Sequence, residues 1–173
     1  MDTIYKSDTK RVFLTFDDGP SPVTSKILDI LKQENVKATF FILGSNVDSR
    51  KDVVKRMYEE GHYLANHGYS HTYSKIYSSP QSVLDEYNEC NDKVKNAIEV
   101  PDYNSHLFRF PGGLAGGKYA EIKKEAKELL LQNNIVNVDW NALTGDAETN
   151  NLSVEFEMTR LTETMESKNS LVI

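Results

Sequence analysis

Apolar positions along this chain switch between short runs, each with at most one polar residue, and stripes at helical spacing. The runs are Val12 to Phe16, Ala38 to Leu43, Tyr63-Leu64-Ala65, Leu107 to Phe110, Ile135 to Val138 and Ser170 to Ile173. They are short and rich in β-branched or aromatic residues, the pattern of buried strands. Gly19-Pro20 stops the first and Gly44 closes the second. Between the runs the period changes. Ile27, Leu28 and Leu31 form a stripe from Ser21-Pro22 to about Asn35, with Ser21 as helix cap and Pro22 as first helical residue. Val47, Val53, Val54, Met57 and Tyr58 mark a second helix ending at Gly61. Val83, Leu84, Tyr87, Val94 and Ile98 follow Ser79-Pro80 on a long charged helix. Further helices are predicted from Tyr119 to Gln132 and from Asn151-Leu152-Ser153, capped by Ser153, toward Lys168.

Strictly alternating strands and helices imply a parallel sheet with helices outside it. The charged and aromatic residues with chemical potential follow strands: Asp17, Asp18, His67, His71, Asp139 and Trp140, with Arg109 inside a short one. That is the layout of a (β/α) barrel, whose chemistry sits at the C-terminal ends of its strands. Six strands are readable, fewer than a full eight.

Composition narrows the class. A chain of 173 residues, 39% hydrophobic and 27% charged, is ordinary for one soluble domain with a real core. The net charge of −6 and the lack of a basic run argue against a nucleic-acid partner. No apolar run approaches membrane-spanning length. The single Cys90 excludes a disulfide framework and fits helix packing better than a nucleophile. Residues 1–10 read as a polar linker and 11–173 as the domain.

Two constellations carry the candidate chemistry. In Thr15-Phe16-Asp17-Asp18-Gly19-Pro20, two carboxylates sit at the end of a strand. Side chains alternate along a strand, so both could face one cleft only if the Gly19-Pro20 turn releases them. Adjacent like charges suggest one metal ligand and one general base. On its own the run is equally a surface turn. In Asn66-His67-Gly68-Tyr69-Ser70-His71 the two imidazoles are close enough to reach one cation, although two polar loop histidines would look the same. Asp18, His67 and His71 together would make a His₂-carboxylate site with positions open for water and substrate.

The Thr-Phe-Asp-Asp-Gly-Pro run and the His67/His71 pair resemble the first two motifs of the polysaccharide deacetylases, the NodB-homology domains of carbohydrate esterase family 4. Arg109-Phe110-Pro111-Gly112-Gly113 is similar to the third motif and Asp139-Trp140 to the fourth. The resemblance implies an irregular (β/α) barrel and removal of N-acetyl groups from the amino sugars of a polysaccharide. Cell-wall peptidoglycan N-acetylglucosamine is the foremost substrate, and a chitin-like oligomer is another. The implied cofactor is a divalent metal on Asp18, His67 and His71: Zn²⁺ foremost, with Co²⁺, Ni²⁺ or Mn²⁺ compatible.

The implied roles are Asp17 as the base, Arg109 as its ion-pair partner and the Gly112 N–H as an oxyanion donor. Asp139 would support the general acid and Trp140 would wall the acetyl pocket. Arg109 as a structural ion pair and Trp140 as core packing are the plain alternatives. His62 and His106 lie outside every motif, and Tyr69, Tyr73 and Tyr77 carry no assignment. Three departures stand out. Gly68 occupies a position where the family usually has Ser or Thr, and Gly112 one where it usually has Tyr. The fifth motif is a strand followed by an acid histidine, and Ser170 to Ile173 looks like its beginning. The domain is therefore expected to be C-terminally incomplete and either a poor catalyst or a glycan-binding relative that keeps its metal. The resemblance also implies a parent protein acting outside the cell or at its surface.

Overall fold

The structure is a computed structural model that describes residues 4–147 and 152–173. Residues 1–3 of the predicted linker, and Asn151 at the predicted start of the last helix, lie outside the described residues. The elements in order are β1 (Arg11–Phe13), β2 (Thr15–Gly19), α1 (Thr24–Gln33), β3 (Thr39–Ile42), α2 (Gly44–Val47), a 3₁₀ turn (Asp48–Arg50) and α3 (Lys51–Glu59). They continue with β4 (Tyr63–Asn66), α4 (Tyr73–Ile76), α5 (Pro80–Ile98), β5 (Leu107–Phe108), α6 (Ala120–Gln132), β6 (Val136–Asn137), α7 (Val154–Met165) and β7 (Ser170–Val172).

These elements form two compact units, Phe16–Asp139 and Met1–Thr15 with Trp140–Ile173. The first holds a five-stranded sheet in the order β2-β3-β4-β5-β6. Strands β3 to β6 are parallel, with Phe41 level with Ala65, Asn66 with Phe108, and Phe108 with Asn137. Phe40, Phe41 and Ile42 of β3 are almost fully buried, as unbroken apolar strands of a helix-covered sheet should be. On α5, Val83, Leu84 and Tyr87 pack with Phe108, Phe110, Ala126 and Leu130 in one apolar cluster. Helix α5 begins as its residues predict: Ser79 accepts a hydrogen bond from the Ser82 N–H at 3.1 Å, and Pro80, which has no N–H, needs no acceptor. Cys90 is buried on this helix, its thiol 3.2 Å from the Ile42 carbonyl, and burial pushes the thiol pKa up.

In the second unit β1 pairs in parallel with β7, placing Val12 level with Leu171. Ser153 caps α7 by accepting from the Phe156 N–H at 3.2 Å. No helix among the described residues is long and apolar enough to cross a membrane.

Four local expectations need correction. The single buried strand Val12–Phe16 is two strands separated at Leu14. Phe13 and Thr15 both bond to Ile173, whereas Gly19 at the far end of β2 accepts from Leu43 beside β3. Val12 is 56% exposed because β1 has a partner strand on one side only among the described residues. Helix α1 starts at Thr24, because the Thr24 hydroxyl accepts from the Ser21 N–H at 2.9 Å and makes Ser21-Pro22 part of the preceding turn. Val47 lies on α2, separated from α3 by the 3₁₀ turn. Strand β5 ends at Phe108, so Arg109 follows the strand, although its N–H still donates to the Asn66 carbonyl at 3.0 Å.

Candidate metal centre

Asp17 and Asp18 are consecutive on β2, and Asp18 has φ of +65°. The left-handed residue breaks the alternation of the strand, so the reorientation predicted for Gly19-Pro20 already occurs at Asp18. Asp18 Oδ1 lies 3.5 Å from His67 Nε2 and 3.4 Å from His71 Nε2. One ligand atom from each of the three residues lies within 4.8 Å of the others. Ligands at zinc distances and tetrahedral angles are about 3.3 Å apart, so this spacing fits a small divalent ion.

The imidazoles are prepared differently. His67 follows β4 and is buried, and its Nδ1 is 2.7 Å from the Arg109 carbonyl. A carbonyl only accepts, so Nδ1 carries the proton and Nε2 presents its lone pair toward Asp18. Burial pushes the His67 pKa down to about 4 against the pull of Asp18, which keeps the ring neutral near pH 7. The His71 side chain is 35% exposed, on the solvent side of the pair.

The loop that carries both histidines is held from α5. Glu86 accepts from the Tyr69 N–H at 2.8 Å, the Ser70 N–H at 2.7 Å and the Ser70 hydroxyl at 2.5 Å. Asn66, itself buried, accepts from the Gly68 N–H at 2.9 Å and donates to the Tyr87 carbonyl at 2.8 Å. Gly68 has φ of +84°, and a Cβ there would stand 2.9 Å from Ile76 Cδ1. Ser or Thr at this position would be strained, and the loop hydroxyl comes from Ser70 instead. Glu86 has no motif to announce it. Its signal was a carboxylate on the apolar stripe of α5, three residues after Val83 and four before Cys90. Glu86→Ala is expected to weaken Zn²⁺ binding about tenfold or more, measured by competition with a chromogenic chelator, because three bonds that orient the ligand loop are lost.

Arg109 reaches the same place from beyond β5. Its Nη1 donates to Asp17 Oδ1 at 2.8 Å and its Nε to the Val138 carbonyl at 3.0 Å, while the guanidinium lies 3.9 Å over the Phe41 ring. The side chain is 2% exposed, so a buried cation fixes one oxygen of Asp17. The other, Oδ2, is 4.0 Å from His67 Nε2. Asp17 therefore stands beside the triad, tied to arginine, while Asp18 faces both histidines.

Gly112 sits in a tight turn in which the Gly113 N–H donates to the Phe110 carbonyl at 2.7 Å. Proline second and a left-handed glycine third, with φ of +73°, are the marks of a type II turn. The Gly112 N–H donates to no described residue. A Cβ at Gly112 would lie 2.5 Å from the Tyr73 hydroxyl, so a tyrosine there would have to displace the Tyr73 side chain as well as take up a left-handed backbone. Asp139 Oδ2 accepts from the Leu114 N–H at 3.0 Å and anchors the loop after this turn. Trp140, about one-third exposed, belongs to the other unit, at the start of its Trp140–Ile173 segment. Neither remaining histidine joins the cluster. His62 is buried at the start of β4, accepting from the Ala38 N–H at 3.2 Å. His106 precedes β5, at the opposite end of that strand from Arg109, with Nδ1 on the Asn134 carbonyl at 3.0 Å.

Comparison with known proteins points one way. The family model described as polysaccharide deacetylase matches residues 5–132. A peptidoglycan-N-acetylglucosamine deacetylase of Bacillus cereus is 38% identical over 144 residues, which are 82% of this chain and 50% of the relative. The chain thus spans about half the length of that curated relative. The structure of a Streptococcus mutans CE4 esterase superposes with a TM-score of 0.86 at 33% identity, covering 99% of this chain and 74% of the other. The catalytic domain of a peptidoglycan N-acetylglucosamine deacetylase from Eubacterium rectale gives 0.84 at 30% identity, covering 99% and 80%. The fold is therefore the α/β fold of the NodB-type deacetylases.

Proposed function

Because the chain belongs to the polysaccharide deacetylase family, we propose that it hydrolyses the N-acetyl amide of amino sugars in a polysaccharide, with peptidoglycan N-acetylglucosamine as its substrate. The observation that carries this reading is the pairing of a three-ligand cluster, Asp18-His67-His71, with a second carboxylate held by a buried arginine. A three-ligand set leaves positions for water and substrate, unlike the closed four-ligand set of a structural site.

Asp18, His67 and His71 hold the divalent ion, Zn²⁺ foremost, with Co²⁺, Ni²⁺ or Mn²⁺ suited by the same donors. When bound, such an ion acidifies water and polarises the acetyl carbonyl. Asp17 accepts the proton of the attacking water. Arg109 keeps Asp17 turned toward the cluster through the 2.8 Å bond to Oδ1. The N–H of Gly112, which bonds to no described residue, donates to the oxygen on which negative charge develops. Asp139 steadies the loop behind Gly112 and is the carboxylate assigned to support protonation of the leaving amine. Such a substrate places the parent protein at the cell surface or outside the cell.

The test is acetate release from an N-acetylglucosamine tetramer and from purified peptidoglycan, before and after chelation and with Zn²⁺ restored. Release that chelation stops and Zn²⁺ restores is expected on both. No release from either substrate by the Zn²⁺-loaded protein would overturn the activity; release from the tetramer alone would overturn the peptidoglycan assignment.

A further inference from the structure

Tyr73 and Tyr77 are neighbours on α4, with ring centroids 5.6 Å apart, yet their surroundings differ. Tyr77 is 1% exposed, its hydroxyl donates to the Pro111 carbonyl at 2.7 Å, and its role is to hold the turn in place. Tyr73 is 40% exposed, and its hydroxyl bonds to no described residue. Its ring stands edge-on to the His71 imidazole at 5.7 Å, and its hydroxyl fills the space in front of Gly112. Gly112 must lack a side chain for this to happen, since a Cβ there would come within 3.2 Å of Tyr73 Cζ as well as meeting the hydroxyl. Two residues distant in sequence thus share one volume, and the result is a phenol hydroxyl against the Gly112 backbone, next to a candidate metal ligand. An exposed aromatic face ending in a hydroxyl suits a sugar, which presents C–H surface and hydroxyl or amide oxygens together.

We propose that Tyr73 is a substrate-positioning residue, its ring walling the site beside His71 and its hydroxyl donating to an oxygen of the bound N-acetylated sugar. The inference rests on the deacetylase reading for the identity of the sugar. Its geometry depends only on Tyr73, His71 and Gly112. Tyr73 contributes to holding the substrate and not to holding the metal, and it makes the same bond before and during reaction. Its loss therefore raises KM and leaves kcat largely unchanged.

Tyr73→Phe removes one oxygen and keeps the ring. In the Zn²⁺-loaded protein it is expected to raise both the Kd for the N-acetylglucosamine tetramer, measured by calorimetry, and the KM for its deacetylation by about five- to tenfold, the worth of one hydrogen bond. The kcat should stay within about twofold and Zn²⁺ affinity should not change. Tyr73→Ala, which also removes the wall, should raise Kd further. An unchanged Kd in Tyr73→Phe would overturn the proposal. So would a loss of Zn²⁺ affinity in that variant, which would mean that Tyr73 works by supporting His71. If the wild-type protein binds the tetramer and releases no acetate, the deacetylase reading fails and the Kd ratio still decides the role of Tyr73. Acetate release with identical constants in both proteins sinks the Tyr73 inference alone, and a wild-type protein that does not bind the tetramer overturns both.

Discussion

Replacing His67 with alanine is expected to weaken Zn²⁺ binding by at least about tenfold, the lower end of what disturbing good ligation costs. The Nε2 of His67 lies 3.5 Å from Asp18 Oδ1, and removing it leaves one imidazole and one carboxylate, too few to hold a divalent ion well. The substitution has a second effect, because His67 Nδ1 also satisfies the Arg109 carbonyl at 2.7 Å in a buried setting. An unsatisfied buried carbonyl costs roughly 1–3 kcal/mol, so some loss of thermal stability should accompany the loss of metal. His71→Ala separates the two effects. Its side chain is 35% exposed, so that variant should lose metal affinity while keeping more of the fold's stability. The measurement is metal stoichiometry and affinity by chelator competition, with thermal melts of the metal-free proteins. Wild-type affinity in both variants would remove the cluster as a metal site.

The expected consequence of Asp17→Asn is different in kind: retained metal and a fall in acetate release of about 10²–10⁴, the usual contribution of a positioned general base. The distinction comes from geometry. Asp18 Oδ1 is within 3.5 Å of both imidazole nitrogens, whereas Asp17 Oδ1 is bound to Arg109 and its Oδ2 is 4.0 Å from His67 Nε2. Asparagine can keep an oxygen toward Arg109, so the orientation of the side chain survives while its ability to take a proton is lost. The outcome to look for is unchanged Zn²⁺ content beside a collapse of turnover on the tetramer. Loss of the metal in Asp17→Asn would instead mean that the two aspartates exchange roles. Asp18→Asn is the complementary variant and should lose the metal first.

Much of this organisation was legible from residue order because its causes are local. Short apolar runs, the first closed by Gly44 and the second preceded by Gly61, place β3 and β4 close to where they lie, and Ser79-Pro80 and Ser153 mark the starts of α5 and α7. Alternation of the two periods implied the parallel α/β arrangement seen across β3 to β6. Residue type and spacing were enough to nominate Asp18, His67 and His71, since few side chains other than imidazole and carboxylate hold such an ion.

What local pattern could not supply is convergence. The backbone of Asp18 turns left-handed within a strand, a conformation open to Asp but not required by its neighbours in the run, and that turn brings its carboxylate to both histidines. Leu14 divides the first apolar run because Phe13 and Thr15 pair with Ile173 while Gly19 pairs beside β3, and partners so distant in sequence leave no trace in the run itself. The same is true of Glu86, which orients the histidine loop from another helix, and of Tyr73, whose hydroxyl occupies the space left by Gly112. The sequence by itself determined the period of each element, its caps and the chemical kinds of its candidate ligands, all consequences of near-neighbour sterics and hydrogen bonding. Tertiary packing alone decided which of those side chains meet, because a meeting point between distant segments depends on how whole elements fill space together.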